Sequence, residues 1–275
     1  MGTIRHGPPP PRDLLSSPPW AAGPRGDAGA APPVQSRIVG GWECEKHSQP
    51  WQAAIYHHGI LECGGVLVHP QWVLTAARCM KSHYQVWLGR HDLLEDEHTA
   101  QFFQVTHHFP HPQFNKTLLE VRSRSPGEDY SHDLMLLRLE QPADLSGAVQ
   151  VLELPTQEPH LWSACYVSGW GSLHPAETEK IPNRLHCVDL ALLPTQLCQS
   201  VFMDKVTDVM LCAGRLKGGK DACKGDSGSP LVCGGVLHGI MSWGGTPCGR
   251  EQVPSVYSKL LPHLQWIQST IANYS

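Results

Sequence analysis

Ten cysteines spread along 275 residues, none nearer than ten positions to the next, constrain this chain more than any other feature. They stand at positions 44, 63, 79, 165, 187, 198, 212, 223, 233 and 248. Zinc and redox motifs use cysteines about two to four residues apart, and no such pair exists here. An even set of widely spaced cysteines instead favours a disulfide framework, which forms in an oxidising compartment. The formal net charge of −4 gives no reason to expect nucleic acid as a partner. No uninterrupted apolar run approaches the roughly 18 residues of a membrane helix, so the chain reads as soluble with no membrane partner.

The first 37 residues differ in texture from the rest. They hold nine prolines and many glycines and alanines, a composition that reads as disorder. They contain no apolar run of the ~7–15 residues that a secretory signal needs, so no recognisable signal peptide is present. That conflicts with the compartment that ten cysteines ask for, and an atypical leader replacing the true amino terminus is the expected resolution.

From Ile38 onward, short apolar runs alternate with Gly, Pro and Asn turns. Strands are expected at 52–56, 65–68, 85–88, 102–106 and 134–139, then at 165–168, 184–190, 209–213, 230–232, 236–242 and 255–259. The two sets form similar-sized all-β halves, 38–155 and 156–275, which suggests paired antiparallel barrels. Leu264, Ile267 and Ile271 fall at helical spacing, so one C-terminal helix is expected over 263–273. The polar stretch 115–131 is too long for a hairpin turn and reads as an exposed flap.

The segment Lys220-Asp221-Ala222-Cys223-Lys224-Gly225-Asp226-Ser227-Gly228 resembles the nucleophile loop of trypsin-like serine proteases. Ile38-Val39-Gly40-Gly41 after Arg37 resembles their activation junction, and Gly40-Gly41-Trp42-Glu43-Cys44 resembles the mature start of the tissue kallikreins. Ser131-His132-Asp133-Leu134-Met135-Leu136-Leu137 and Val167-Ser168-Gly169-Trp170-Gly171 match the same family. The competing α/β-hydrolase elbow needs glycine two residues after its serine, where Ser229 stands, and runs serine, acid, histidine in chain order. It is excluded on both counts.

The resemblance covers roughly 38–275 and implies an all-β fold: two six-stranded antiparallel barrels of the chymotrypsin type with a C-terminal helix. It implies Ser227 as nucleophile, Asp133 as the acid that orients a base, and the backbone N–H groups of Gly225 and Ser227 as the oxyanion hole. One such donor is worth about 2.7–4 kcal/mol of transition-state stabilisation. Asp221 would form the floor of a specificity pocket for Arg or Lys, with Ser255 and Gly244 in its wall and Ser242-Trp243-Gly244 as the edge that pairs with substrate backbone. Cleavage behind Arg37 would free the amine of Ile38 to pair with Asp226. The implied disulfides are Cys44–Cys187, Cys63–Cys79, Cys165–Cys233, Cys198–Cys212 and Cys223–Cys248. Asn115 and Asn273 begin acceptor sequons for glycosylation.

One position departs from the pattern decisively. Leu74-Thr75-Ala76-Ala77-Arg78-Cys79 resembles the loop that delivers the family's general-base histidine, yet position 78 is arginine. A serine hydroxyl is a poor nucleophile until a neighbour accepts its proton, and guanidinium offers no lone pair. Loss of the base from such a triad costs on the order of 10⁶-fold in kcat. His83, His107, His108, His111 and His132 lie near in sequence, but nothing places one beside Ser227. A buried pair between Arg78 and Asp133 is expected instead. Ser229 is a second departure, since the resemblance implies glycine there; a special backbone angle at that position would disfavour serine, and the sequence leaves open whether one is needed.

The expectation is a kallikrein-like serine protease homologue with an Arg/Lys pocket, activated behind Arg37, whose proteolysis is lost. Its partners would be basic peptides or proteins, serine protease inhibitors and an activating trypsin-like protease. It would be a secreted monomer with no cofactor and no metal. The paired His57-His58 and His107-His108 read as solvated loop residues rather than zinc ligands. An active endopeptidase cleaving after Arg or Lys is the alternative, if Arg78 is an error or is compensated.

Overall fold

The computed structural model describes Gly2 and residues 38–119, 128–172 and 182–275. Arg37, the rest of the leader and residues 120–127 of the expected flap lie outside the described residues.

Thirteen strands follow in chain order. They are β1 (Trp42–Glu43), β2 (Gln52–His57), β3 (Ile60–His69), β4 (Trp72–Thr75), β5 (Gln85–Leu88), β6 (Gln101–Pro110), β7 (Met135–Leu139), β8 (Ala164–Gly169), β9 (His186–Leu193), β10 (Met210–Gly214), β11 (Pro230–Cys233), β12 (Val236–Trp243) and β13 (Ser255–Lys259). All pairings are antiparallel. Strands β2 to β7 close into one six-stranded barrel in the order β2-β3-β4-β7-β6-β5. Strands β8 to β13 close into a second ring because β8 pairs with both β9 and β11, and β1 adds to the outside of β9. Closure removes the exposed edges that a flat sheet would present.

Alternation explains most of these strands. In β5, Val86 and Leu88 are buried while Gln85 and Trp87 are only partly covered, so one face points inward. Buried residues of the first barrel, among them Val66, Trp72, Leu74, Leu136 and Leu137, form a core with no solvent contact. Strands β4 and β1 are absent from the sequence expectation. Every residue of β4 is buried, so it shows no polar–apolar alternation, and β1 is two residues long. Helix α1 (Thr195–Phe202) was also not expected, whereas α2 (Leu264–Tyr274) matches the expected C-terminal helix within one residue at each end. Ile267 of α2 inserts into the core of the first barrel, with Trp266 and Ile271 packed at its margin.

The ten cysteines form five disulfides: Cys44–Cys187, Cys63–Cys79, Cys165–Cys233, Cys198–Cys212 and Cys223–Cys248. Cys63–Cys79 anchors the 3₁₀ turn Ala77–Cys79 to β3, and Cys223–Cys248 joins the segment before Ser227 to the loop after β12. Each closes a loop in the unfolded chain and contributes about 2–4 kcal/mol. Among the described residues no helix is long and apolar enough to cross a membrane.

Candidate active site

Arg78 sits at the centre of the 3₁₀ turn Ala77–Cys79, which the chain enters directly from β4. Backbone bonds from Cys79 N to Ala76 O and from Met80 N to Ala77 O close the turn. Asp133 lies two residues before β7, the neighbour of β4 in the barrel, so the two residues meet across adjacent strand ends. Its carboxylate has no solvent contact. Oδ1 accepts the Arg78 backbone N–H at 2.7 Å, and Oδ2 accepts Arg78 Nε at 2.6 Å and Ser242 Oγ at 2.6 Å. Arg78 Nη2 donates in turn to Ser242 Oγ at 3.1 Å, and the guanidinium lies over the Tyr130 ring, 4.6 Å from its centroid. The expected Arg78–Asp133 pair is therefore present, held on three sides and open to solvent over 20% of the arginine side chain.

Ser227 occupies a turn between β10 and β11 that only glycines permit. Gly225 and Gly228 have φ of +100° and +84°, and a Cβ on Gly228 would fall 2.2 Å from Thr75 Oγ1. The turn is tied to the first barrel by Gly64 N–H to Ser227 O at 2.9 Å, and Cys79 Sγ lies 3.9 Å from the same oxygen. Asp226 N–H bonds Cys223 O, Gly228 N–H bonds Met241 O and Ser229 N–H bonds Asp226 O. The N–H groups of Gly225 and Ser227 donate to no acceptor among the described residues. No histidine hydrogen-bonds Ser227 there either.

Asp221 is buried beneath this turn. Ser255 Oγ donates to it at 2.7 Å and Gly249 N–H at 2.9 Å, and burial pushes its pKa up to about 6. Gly244 borders Ser255 so closely that a Cβ there would meet Ser255 Oγ at 2.5 Å, so only glycine keeps this wall open. Asp226 is fully buried and accepts Gly171 N–H at 2.8 Å and Cys223 N–H at 2.9 Å. Burial raises its pKa to about 6, and the nearby charge of Asp221 adds to the rise. A Cβ on Gly171 would lie 2.3 Å from the Asp226 carboxyl carbon, which explains glycine in Gly169-Trp170-Gly171. Ile38 is fully buried in the core of the second barrel with Val188, Ala222 and Met241. Asn115 and Asn273 are both exposed.

Ser229 answers a question that the sequence left open. Its φ is not in the left-handed region, so the backbone tolerates serine. The side chain fits because positions 64 and 169 are glycines: a Cβ on Gly64 would fall 2.2 Å from Ser229 Oγ. The hydroxyl is buried with no partner among the described residues.

The histidine pairs considered in the sequence form no donor set. His57 and His58 lie beside the hairpin glycine Gly59, and His107 and His108 are successive residues of β6. His111, His132 and His263 instead converge from three separate elements, with ligand atoms all within 4.8 Å of one another. Their spacing in sequence gave no signal of this. His263 Nδ1 lies 2.6 Å from Lys259 O and its Nε2 lies 2.9 Å from His132 Nδ1, while His111 stacks on His132. Burial first, then the neighbouring rings, pushes His111 down to about 4. Neutral imidazoles of this kind are the described residues best suited to hold a transition metal.

A family model described as Trypsin matches residues 38–267. Glandular kallikrein of Sus scrofa is 59% identical over 242 residues, 88% of this chain and 98% of the relative. Kallikrein-2 of Homo sapiens is 59% identical over 247 residues, 90% of this chain and 94% of the relative. The solved structure of neuropsin, a serine protease expressed in the limbic system of mouse brain, superimposes with a TM-score of 0.77 at 42% identity, covering 84% of this chain and 98% of that one. The chain belongs to the trypsin family of serine proteases and, within it, to the tissue kallikreins.

The unpartnered Ser229 hydroxyl carries a desolvation cost of about 1–3 kcal/mol. Ser229→Ala removes the hydroxyl and keeps the packing atom, so it is expected to raise stability in chemical denaturation by about 1 kcal/mol. A lowered midpoint would show that the hydroxyl has a stabilising partner.

Proposed function

We propose that this chain is a kallikrein-like pseudoprotease, which binds basic peptides and protease inhibitors without hydrolysing them. The observation that carries this reading is the 2.6 Å contact between Arg78 Nε and Asp133 Oδ2. In a working triad the buried carboxylate orients a neutral imidazole, whose second nitrogen takes the serine proton. Here both carboxylate oxygens are engaged by Arg78 and Ser242. The side chain in the base's place has donors only. Among the described residues the Ser227 proton has no acceptor, and the hydroxyl stays a weak nucleophile.

The remaining parts are read in their family roles. Asp221, with Ser255 and Gly244 beside it, takes an Arg or Lys side chain. Ser242-Trp243-Gly244 pairs with the ligand backbone. Gly225 and Ser227 point N–H groups at the carbonyl oxygen, and Asp226 takes the amine that cleavage behind Arg37 frees on Ile38. A trypsin-like protease makes that cut. The protein is a secreted monomer glycosylated at Asn115 and Asn273, and it acts as a decoy for inhibitors or basic peptides.

Two measurements check this. After cleavage behind Arg37, the unaltered chain should turn over an arginine amide substrate on the order of 10⁶-fold more slowly than Arg78→His. Comparable turnover by the two would support an active endopeptidase instead. Separately, Asp221 must be ionised to hold a cation, and its pKa of about 6 sets the range. As pH rises from about 5 to about 7, the Kd of benzamidine should fall about tenfold. Because this carboxyl's folded pKa is raised, its own contribution to stability is complete below about pH 4 and is lost as pH rises through about 6. Bound amidinium should therefore stabilise the chain most at neutral pH. A Kd independent of pH would place the cation elsewhere.

A further inference from the structure

We propose that the cleft is a receptor for peptides ending in a free C-terminal arginine or lysine, the terminal carboxylate being held by Arg78 and the turn at Ser227. This rests on the reading of the site as a silent trypsin-type cleft, and it names the ligand that such a cleft prefers.

The arginine is more than an absent base. Nε is committed to Asp133 and Nη2 to Ser242, and the Tyr130 ring covers one face of the guanidinium. These contacts fix the plane of the group and leave Nη1, which donates to nothing among the described residues. The side chain is 20% exposed and lines a cleft of about 580 Å³ together with Trp243 and Gly244. Among the described residues Lys205, Arg250 and Glu128 also line this cleft, and Lys205 and Glu128 have partners of their own. A fixed, outward N–H of a cation, with a second arginine, Arg250, in the same cleft, is a site for an anion.

The anion's position follows from the neighbouring turn. Gly225 and Ser227 present two backbone N–H groups without acceptors, which makes the turn an anion-binding nest. Cys79, the residue after Arg78, lies 3.9 Å from the carbonyl oxygen of Ser227, so the backbone that carries the arginine adjoins this turn, and the proposal takes the nest and the guanidinium to face one ligand. Asp221 lies beyond the Gly244 wall and takes a basic side chain. On the proposed family roles of Asp221 and Ser227, a residue whose side chain reaches Asp221 has its carbonyl carbon at Ser227. A terminal carboxylate offers oxygens to both the nest and Arg78 Nη1. An internal peptide bond offers one oxygen to the nest and turns its own N–H, a donor, toward the donors of Arg78. The arginine thus favours chains already cut after a basic residue over chains still intact. The ligands are products of trypsin-type proteolysis.

The test compares two labelled hexapeptides, one ending in arginine with a free carboxylate and the other in arginine amide. Fluorescence anisotropy measures their Kd for the chain cleaved behind Arg37, carrying Ser227→Ala so that neither peptide can be hydrolysed. The carboxylate peptide should bind about tenfold more tightly than the amide, the loss expected when one charge-assisted partner is removed. At pH 8 the preference should disappear in Ser227→Ala/Arg78→His. Arg78→Gln in the same background is the second variant, and benzamidine binding verifies the Asp221 pocket in each. Equal affinity for the two peptides, no binding of either, or a preference that survives both substitutions would overturn the proposal. Hydrolysis of the amide peptide by the chain with Ser227 and Arg78 intact would instead overturn the pseudoprotease reading on which it rests.

Discussion

A carboxylate without solvent contact, Asp133, must find its partners inside the protein, and everything at this site follows from which partners it has. Ionised carboxylates are costly to bury unless they are paired and hydrogen-bonded. Three donors meet this one: the Arg78 backbone, the Arg78 side chain and Ser242. The attraction in such a pair is opposed by the desolvation of both ions, so its net worth to stability is modest. Its consequence for reactivity is large. A neutral ring would hand the carboxylate's influence on to the serine, whereas a guanidinium absorbs it. On the proposed reading, the same contact that keeps Asp133 satisfied leaves Ser227 without a proton acceptor among the described residues.

The ligand-holding parts do not depend on that contact. The Ser227 turn is shaped by Gly225 and Gly228, and it is bonded to both barrels through Gly64 and Met241. The Asp221 pocket is built from Ser255, the Gly249 N–H and the bare backbone of Gly244. Glycine backbone, two disulfides and buried carboxylates hold these pieces whatever stands at position 78. Recognition and chemistry are therefore separable here. On the proposed reading a single side chain removes the second and leaves the first, and its positive charge is what would alter which ligand end the cleft accepts.

Local patterns made most of the fold legible. Alternating strands such as β5 and the C-terminal helix α2 carry their periodicity in the sequence, and they stand where the sequence puts them. β4 was not legible because it is buried on all sides, so its residues read as the approach to the Arg78 loop. The approach of Arg78 to Asp133 was foreseeable because each lay in a recognisable family segment. The meeting of His111, His132 and His263 was not, since three distant elements bring them together. The tolerance of Ser229 was equally hidden: it depends on Gly64 and Gly169 having no side chain, which only the packed barrels reveal.

On the proposed reading, no described residue beside Ser227 accepts its proton. Diisopropyl fluorophosphate phosphorylates a serine whose hydroxyl has been activated by a neighbouring base, and intact-mass spectrometry reads the adduct without any turnover. The chain cleaved behind Arg37 should remain unlabelled under conditions in which Arg78→His gains one adduct, mapped to Ser227. An adduct on Ser227 of the unaltered chain, formed at a comparable rate, would contradict the account.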